Sequence, residues 1–376
     1  MDIVFDQPEW RLRLAQPEDN DSLCALFRSV SMPSDLILTE EREPDFFALR
    51  KLHSGTPYTI VLEDKSDNLA EQERIAGCCS VVVRKGWLNG EIKSIGYLCD
   101  LRMAERFRSG KVFPQSISIF IDYIKRQEPV DVFYFSIMRS NASAQYAQRM
   151  ANASLITPYH MVNLQVLNRA IPQTLEVNQL QDSDIPELAA FLGKQARKRA
   201  FGFVIDEAML RNRIESWPDF GVNNFFAIRN KEGKIVACAA PWNNADSLRR
   251  SRVHGYRGTM KLIRKGIDLE ARLRGHAPMP KPGECFNLLG LTHLEIENDD
   301  PELMNQLLRG IYNHHRGRNY HFIAAFVPQQ SKLEKGLSGF RVQKVPMDLY
   351  GFRGNDHSFD IENFSSINPG FEMALH

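Results

Sequence analysis

The sequence lacks an excess of charge of either sign and any long apolar run. Its 376 residues include 47 lysines and arginines against 46 aspartates and glutamates, which gives a net charge of +1. No overall electrostatic field therefore draws the chain to nucleic acid or to a membrane, and any such attraction must be local. No uninterrupted apolar segment approaches the roughly 18 residues that span a bilayer. We therefore expect neither a nucleic-acid partner nor a membrane partner.

The Cys-x-x-Cys spacing is also missing. None of the six cysteines forms a Cys-x-x-Cys pair, and at least four lie in apolar, strand-like runs. We interpret them as buried free thiols of a reducing compartment. The opening segment MDIVFDQPEW carries two acids and no basic region before an apolar one, unlike a signal peptide. Together these features predict a cytoplasmic protein.

Metal-binding patterns are absent as well. The sequence contains no His-Glu-x-x-His motif and no paired Cys/His spacing. His314, His315 and His321 lie near the predicted end of a helix, where an imidazolium interacts favourably with the helix dipole. We expect no metal site.

What the chain does contain is an internal repeat. Residues 11–27 and 175–192 both read as a strand, a polar turn and a helix, with Asp19 and Asp184 each preceding an apolar helix face. Two further patterns recur in the same order: a hairpin, then a strand–helix–strand unit. Repetition on this scale indicates a duplicated domain. The predicted fold class is α/β, with a mixed sheet in each of two tandem domains.

Composition places the domain boundaries. The segment IPQT at 171–174 interrupts two strand-like runs, and the stretch from about Gly354 is polar and aperiodic. We therefore predict one domain over residues 1–170, a second over 171–353 and a C-terminal tail over 354–376. The tail either packs on the body or forms a loose end.

The most informative segment lies in the first half. The strand-like GYLCDLRM ends in a cationic turn, and the amphipathic helix PQSISIFIDYIKR follows, with its apolar face at Ile117, Phe120, Ile121 and Ile124. Cations next to a helix N-terminus, with its free N–H groups, suit a diphosphate; the alternative is a solvated turn. The turn contains Arg106, Arg108, Ser109, Gly110 and Lys111.

This layout resembles the acyl-CoA-binding motif of the GNAT acetyltransferase superfamily. In that family a strand of Leu-x-Val type holds the pantetheine, and an R/Q-x-x-G-x-G/A loop before a helix holds the diphosphate. Leu101 and Met103 match the strand, whereas Lys111 and Phe113 stand at glycine places when Arg108 opens the loop. The resemblance implies acetyl-CoA or another acyl-CoA as cofactor, held by Leu101, Arg102, Met103, Arg106, Arg108, Ser109, Gly110, Lys111, Val112 and Asn141.

The same resemblance implies an acid and a base. The family pattern has Asn, then Ala at three and Tyr at seven; here Asn141 and Ala144 match, but Gln148 stands at seven and the tyrosine is Tyr146. Tyr146 is the candidate acid that protonates the departing thiolate. Asp100, beside the thioester-holding strand, is the candidate base. The alternative for Asp100 is a structural pairing with Arg102 or Arg106.

The second half differs in charge. Its equivalent turn carries the acids Glu297, Asp299 and Asp300, which favour a helix start but repel a diphosphate. Residues 247–267 hold seven cations and no acid. This basic tract predicts either a patch for an anionic acceptor, the CoA 3′-phosphate or nucleic acid, or an insertion that pairs with nearby acidic loops.

The sequence thus predicts an N-acetyltransferase, or short-chain N-acyltransferase, that acts on the primary amine of a small molecule or peptide. Two alternatives stay open. One is a non-catalytic acyl-CoA-binding or regulatory module, because the motif departs from the family pattern. The other resembles the aminoacyl-tRNA-dependent peptidoglycan transferases, which also pair two such domains and in which the basic tract would hold tRNA.

Overall fold

A computed structural model of the chain describes residues 2–30, 35–108, 112–141, 145, 148, 152–353, 369–370 and 372–376, with residue 113 described by its backbone alone. Two strand-rich halves follow one another along the chain. The described strands are β1 Ile3–Asp6, β2 Trp10–Leu14, β3 Leu36–Glu41, β4 Thr56–Asp64, β5 Ile75–Leu88, β6 Glu91–Met103, β7 Val132–Met138, β8 Ser154–Gln165, β9 Asn178–Gln179, β10 Gly202–Phe203, β11 Phe226–Arg229, β12 Ile235–Trp242, β13 Arg250–Tyr256, β14 Leu288–Ile296, β15 Phe322–Pro328 and β16 Val342–Phe352.

Helices alternate with these strands, and four of them lie where the periodicity predicts, at residues 20–29, 112–127, 185–196 and 301–315. The described α-helices are α1 Asn20–Ser29, α2 Ala48–Lys51, α3 Glu105–Arg108, α4 Val112–Gln127, α5 Ile185–Ala196, α6 Glu207–Ser216, α7 Met260–Arg274 and α8 Pro301–His315. Among the described helices, none combines the length and the apolar character that crossing a bilayer requires.

Fourteen of the described strands form one sheet. Its order is β1-β2-β4-β5-β6-β7-β16-β8-β15-β14-β12-β11-β9, with β10 added beside β5, and β13 pairs with β3 in a separate ribbon. The predicted α/β class with mixed pairing is confirmed, because the pairs β6–β7 and β14–β15 are parallel and their neighbours antiparallel. The two expected sheets, however, are joined edge to edge into one.

The join consists of two exchanged strands. β16 comes from the second half of the chain but lies between β7 and β8 of the first, pairing from Met347 to Phe352 with β7 and from Val342 to Gly351 with β8. β8 in turn pairs with β15 from Tyr159 to Gln165. Each half therefore completes its sheet with a strand of the other. The boundary near 171–174 stays a prediction for the chain connection, and the sheet runs across it.

The repeat extends to individual hydrogen bonds. The Asp19 carboxylate accepts from the backbone N–H of Gln16 at 2.7 Å, and Asp184 accepts from that of Gln181 at 2.9 Å. Each of these turns leads into the helix that packs on its half, α1 or α5. Both helices are therefore preceded by the same kind of short turn, in which an aspartate accepts a hydrogen bond from the backbone N–H of a glutamine three residues earlier.

Helices cover both faces of the sheet in each half. In the first half, α4 packs on one face through Phe120, Ile121 and Ile124, all with at most 1% exposure, as its periodicity predicts. α1 packs on the other face through Leu23 and Phe27. In the second half, α8 and α5 take the equivalent positions. The places where the parallel strands separate therefore lie within the sheet, between two layers of helices.

Candidate functional site

The two parallel strands of the first half separate within the sheet. β6 and β7 pair only from Ile95–Tyr97 to Val132–Tyr134. Beyond Tyr97, no described strand pairs with β6 on the side that faces β7. The cause is a β-bulge: Cys78 pairs with Arg102 but Ser80 pairs with Cys99, so β6 carries an extra residue, and Asp100 within it has φ of 54°. A bulge bends its strand, and here the bend opens a V-shaped gap.

The second half repeats this gap. β14 and β15 pair only from Leu288 to Gly290, and a bulge in β14 places His293 at φ of 53°. In each half a buried cysteine donates its S–H to the carbonyl of the bulge residue: Cys78 to Asp100 at 3.2 Å and Cys238 to His293 at 3.5 Å. Asp100 and His293 are therefore structural equivalents with different chemistry.

One described cation, Arg108, lies where β6 ends and α4 begins. Arg108 folds back so that its Nε donates to the main-chain oxygen of Met103 at 2.9 Å, which places its guanidinium at the open end of β6. α4 starts at Val112, and the N–H groups of its first turn attract anions. Ser109, Gly110 and Lys111 lie outside the described residues.

Other residues of the predicted loop have protein partners. Arg106 Nε is 2.7 Å from the Asp64 carboxylate, and its Nη2 donates to the main-chain oxygen of Glu73. Arg102 pairs with Glu40 at 3.2 Å and covers the Phe27 ring, so it lies on the α1 face of the sheet. Both cations are thereby engaged away from the gap, and Arg108 stays the described cation best placed for a diphosphate.

The remaining predicted cofactor residues border the gap. Leu101 and Met103 lie on the final segment of β6, with their side chains packed in the α4 core. Asn141 follows β7, and its backbone N–H donates to the Met138 carbonyl at 2.9 Å. Leu101, Met103, Val112 and Asn141 thus stay predictions that this geometry permits. Tyr146 lies outside the described residues.

Asp100 is held in a buried ion cluster. Its carboxylate binds Arg50 Nε at 2.5 Å and Arg42 Nη2 at 2.8 Å, and only 1% of its side chain is exposed. Burial alone would raise the pKa of this carboxyl, but Arg50 and Arg42 hold it well below its ordinary value. A carboxylate with so low a pKa is a poor base. Asp100 as a base is untested, and its contacts favour the structural alternative, with Arg42 and Arg50 as partners instead of Arg102 or Arg106.

A second polar group occupies the vertex of the first gap, and sequence reasoning missed it. The His376 ring lies 2.7 Å from the Tyr97 hydroxyl through Nδ1 and also hydrogen-bonds Ser136 through Nε2. Burial, with Arg249 and Arg50 nearby, lowers the pKa of His376 to about 3. This imidazole is therefore neutral at pH 7. Since it follows the aperiodic tail, no sequence pattern connected it with Tyr97 or Ser136.

Two cavities meet beside this group. A small one lies at the vertex between Tyr97, Tyr134 and His376. An open cleft occupies the second gap, lined by Leu291, Phe326 and other mainly apolar side chains. Phe203 and Glu372 line both. The two gaps are therefore adjoining spaces.

Charged groups in the cleft are paired. Arg199 is 3.2 Å from Glu295 and 2.7 Å from Asp299, so the acidic turn before α8 is partly neutralised. Arg213 is 2.7 Å from Glu372; burial alone would raise the pKa of Glu372, but Arg213 and His293 lower it to about 2. The lining of the cleft thus includes Arg199, the carboxylates of Glu295 and Glu372 and the neutral imidazole of His293, a slightly anionic balance.

The basic tract divides into two parts. Arg250 and Arg252 of β13 pair with Glu41, and Arg249 donates to the main-chain oxygen of His376. These three arginines therefore have partners within the protein, as the pairing alternative predicts. The tract's remaining cations continue into α7, on the surface.

The buried His293 leads us to expect that the folded protein loses stability in acid. Burial lowers its pKa to about 4, with Arg213 adding to the effect and Glu372 opposing it. An unfolded histidine titrates near 6.5, so between these pH values the unfolded chain binds a proton that the folded chain does not. Stability is thus full above about pH 6.5 and falls towards pH 4, by roughly 1–2 kcal/mol at pH 5 from this residue.

Urea unfolding at pH 7.5 and pH 5 measures this contribution. We expect His293→Gln, which keeps an acceptor for Arg213, to lose less stability over this interval than the unchanged chain. Equal losses in the two proteins would contradict the assignment.

Solved structures with a similar fold are N-acyltransferases. A GCN5-related glucosamine N-acetyltransferase region of a fungal multi-domain GH3 β-N-acetylglucosaminidase aligns with a TM-score of 0.62 at 12% identity, covering 92% of this chain. The chain spans 38% of that protein's length. An N-myristoyltransferase from Saccharomyces cerevisiae with bound myristoyl-CoA aligns with a TM-score of 0.61 at 11% identity, covering 98% of this chain and 87% of that one.

A third structure is similar over its whole length. The GCN5-related N-acetyltransferase from Sphaerobacter thermophilus aligns with a TM-score of 0.55 at 12% identity, covering 98% of this chain and 99% of that one. No protein-family model and no curated protein matches the sequence. At these identities the likeness concerns the fold alone. The chain has the GNAT acyl-CoA N-acyltransferase fold, which confirms the expected resemblance at that level.

Proposed function

We propose that this protein transfers an acetyl or other short acyl group from CoA to a primary amine. The observation that carries the proposal is the first gap, where a strand edge without a described partner, a helix N-terminus and an arginine adjoin a buried imidazole. These are the parts that thioester binding and amine attack need. The fold likeness is consistent with the same activity but does not select the acyl group or the acceptor.

The cofactor would lie along β6. Main-chain groups of Leu101 and Met103 would pair with the pantetheine, much as another strand would, and this edge is available because β7 diverges. Arg108, Lys111 and the first turn of α4 would hold the diphosphate. The thioester would then lie at the vertex beside Tyr97, where the small cavity leaves little room for a long acyl chain.

The amine would arrive from the opposite side, through the cleft of the second half. That cleft shares Phe203 and Glu372 with the vertex cavity, so an acceptor bound there can extend its amine to the thioester. The mainly apolar lining with a slight anionic balance suits an amine carried on an apolar body. An open cleft of this kind suits a small molecule or the end of a peptide.

Direct transfer needs little acid–base chemistry. The amine nitrogen attacks the thioester carbonyl, a C–N bond forms as the C–S bond breaks, and the thiolate takes a proton as it leaves. The Tyr97 and Ser136 hydroxyls, held in place by the neutral His376, would guide the proton from the amine towards the departing thiolate. Tyr146 stays the candidate acid for the thiolate.

A coupled thiol-release assay over a panel of amines tests the proposal, with acetyl-, butyryl- and longer acyl-CoA as donors. We expect turnover with short chains, and an unchanged protein mass when acyl-CoA is supplied without amine, because no acyl-enzyme forms. Binding of CoA without turnover on any amine would instead support the non-catalytic module. The tRNA alternative is weakened by the internal pairing of Arg249, Arg250 and Arg252.

His376→Asn should separate chemistry from binding. Asparagine is shorter than the imidazole and cannot hold the Tyr97 and Ser136 hydroxyls together, so we expect kcat to fall roughly a hundredfold while the Kd for acyl-CoA stays unchanged. The matched control is His314→Asn, on α8 and packed against Phe226, which should leave both values unaltered. Wild-type kcat in His376→Asn would remove His376 from the mechanism.

A further inference from the structure

Helix α7 presents an apolar ridge to solvent. Leu262, Leu269 and Leu273 are 70%, 60% and 78% exposed, and Ile263 beside them is 48% exposed. These four residues make up half of the large hydrophobic side chains that are exposed in the described part of the chain. Scattered exposed leucines need no explanation, but a contiguous set on one helix does.

The orientation of the ridge follows from the helix period. Leu262, Gly266, Leu269 and Leu273 recur at intervals of four, three and four, which places them on one line along the helix. The opposite side, with Ala271, Ile267 and Met260, is the side that packs towards the protein. Since the inner side already has its core contacts, the ridge has no packing role within the described residues.

Cations flank the ridge on one side. Lys261, Lys265 and Arg272 are exposed, and none of them forms an ion pair with another described residue. The acids of α7 are already engaged: Asp268 pairs with Arg264, and Glu270 pairs with Arg274 and Arg341. The surface beside the leucines is therefore locally cationic although the whole chain carries only +1.

We propose that α7 binds an anionic phospholipid surface, with its leucine ridge in the outer acyl region and its cations at the phosphates. A helix that lies in the bilayer interface needs this combination of apolar ridge and adjacent lysines and arginines, whose long stems let the charge stay at the headgroup level. Net charge alone predicted no membrane partner, but the attraction here is local and does not require a membrane-spanning segment. The inference is independent of the proposed function.

A second copy of the chain fits this surface less well. If two α7 helices met ridge to ridge about a twofold axis in antiparallel fashion, the flank with Lys261, Lys265 and Arg272 would face its own copy. Like charges in that arrangement repel. An anionic headgroup layer instead supplies the opposite charge along the whole flank, over the roughly 22 Å length of the helix.

Vesicle co-sedimentation of the full chain tests the proposal. The probes are vesicles of phosphatidylcholine alone and vesicles with about a third phosphatidylserine, for which we expect at least tenfold stronger binding. Leu269→Gln/Leu273→Gln should abolish binding to both. Lys261→Gln/Lys265→Gln/Arg272→Gln should reduce binding to the anionic vesicles by roughly fivefold per cation, towards the level for phosphatidylcholine.

Ile92→Gln is the matched control, because Ile92 is 50% exposed on β6 and remote from α7 in the chain. It should bind vesicles like the unchanged protein, and circular dichroism should confirm that all variants keep their fold. The proposal is overturned if the unchanged chain does not bind anionic vesicles, or if the leucine variant binds as well as the control. A dimer that Leu269→Gln/Leu273→Gln disperses, without vesicle binding, would assign the ridge to a second copy instead.

Discussion

Residues 1–170, expressed without the rest of the chain, are expected to stay unfolded. Their sheet would lack β16, which contributes the partner of β7 from Met347 to Phe352 and the partner of β8 from Val342 to Gly351. Without it β8 has no neighbour in this fragment, and the buried side chains of Leu349, Tyr350 and Phe352 leave the core. Each such side chain contributes on the order of 2 kcal/mol by burial, and a domain has only about 5–15 kcal/mol in all.

A cut chain tests the strand exchange directly. A protease site inserted between the exposed residues Pro172 and Gln173 would divide the connection without touching a strand. We expect the two pieces to elute as one complex under native conditions and, once separated in urea, to regain a cooperative unfolding transition only when remixed. Cooperative unfolding of the isolated first piece would show that the halves fold independently.

Reversing charge at the predicted diphosphate site should have the second large effect. Arg108→Glu/Lys111→Glu replaces two attractive contacts by two repulsive ones next to the start of α4. Because each charge-assisted hydrogen bond contributes roughly 1.5–3 kcal/mol, and about 1.4 kcal/mol is tenfold in affinity, we expect the loss of two to raise the Kd of acyl-CoA by about two orders of magnitude or more. Isothermal titration calorimetry with acetyl-CoA and with free CoA measures this change.

The control must carry the same change of charge elsewhere. Lys231→Glu/Lys234→Glu alters the exposed turn between β11 and β12, and should leave the Kd within about twofold. The acidic turn before α8 is less suitable, because Asp300 caps that helix through the N–H of Glu302 at 2.8 Å and Asp299 pairs with Arg199. Equal weakening by both double variants would locate the cofactor elsewhere.

Local patterns in the sequence were sufficient to predict the repeated strand–helix units and their order along the chain. The spacing of Phe120, Ile121 and Ile124 predicted the buried face of α4, because a helix places residues three and four apart on one side. The matched turns at Asp19 and Asp184 likewise predicted a repeat that the structure contains. Such features depend on neighbours within a few residues, which the sequence displays directly.

Features that depend on distant partners were beyond that reasoning. Asp100 was predicted as the candidate base, with pairing to Arg102 or Arg106 as the alternative, whereas its partners Arg42 and Arg50 lie about fifty residues earlier. The position of His376 against Tyr97 and Ser136, and the insertion of β16 between β7 and β8, join segments that lie well over a hundred residues apart. No local period encodes such contacts, which are set by how the completed sheet folds.

The exchanged strands β8 and β16 suggest how this architecture arose. Two identical ancestral subunits that traded a terminal strand would form a closed dimer with this strand order about a central twofold axis. Joining them end to end fixes a one-to-one stoichiometry and removes the requirement that both copies keep the same sequence. The equivalent bulges at Asp100 and His293 record the result: one backbone defect, inherited twice, with freedom for each copy to acquire its own chemistry.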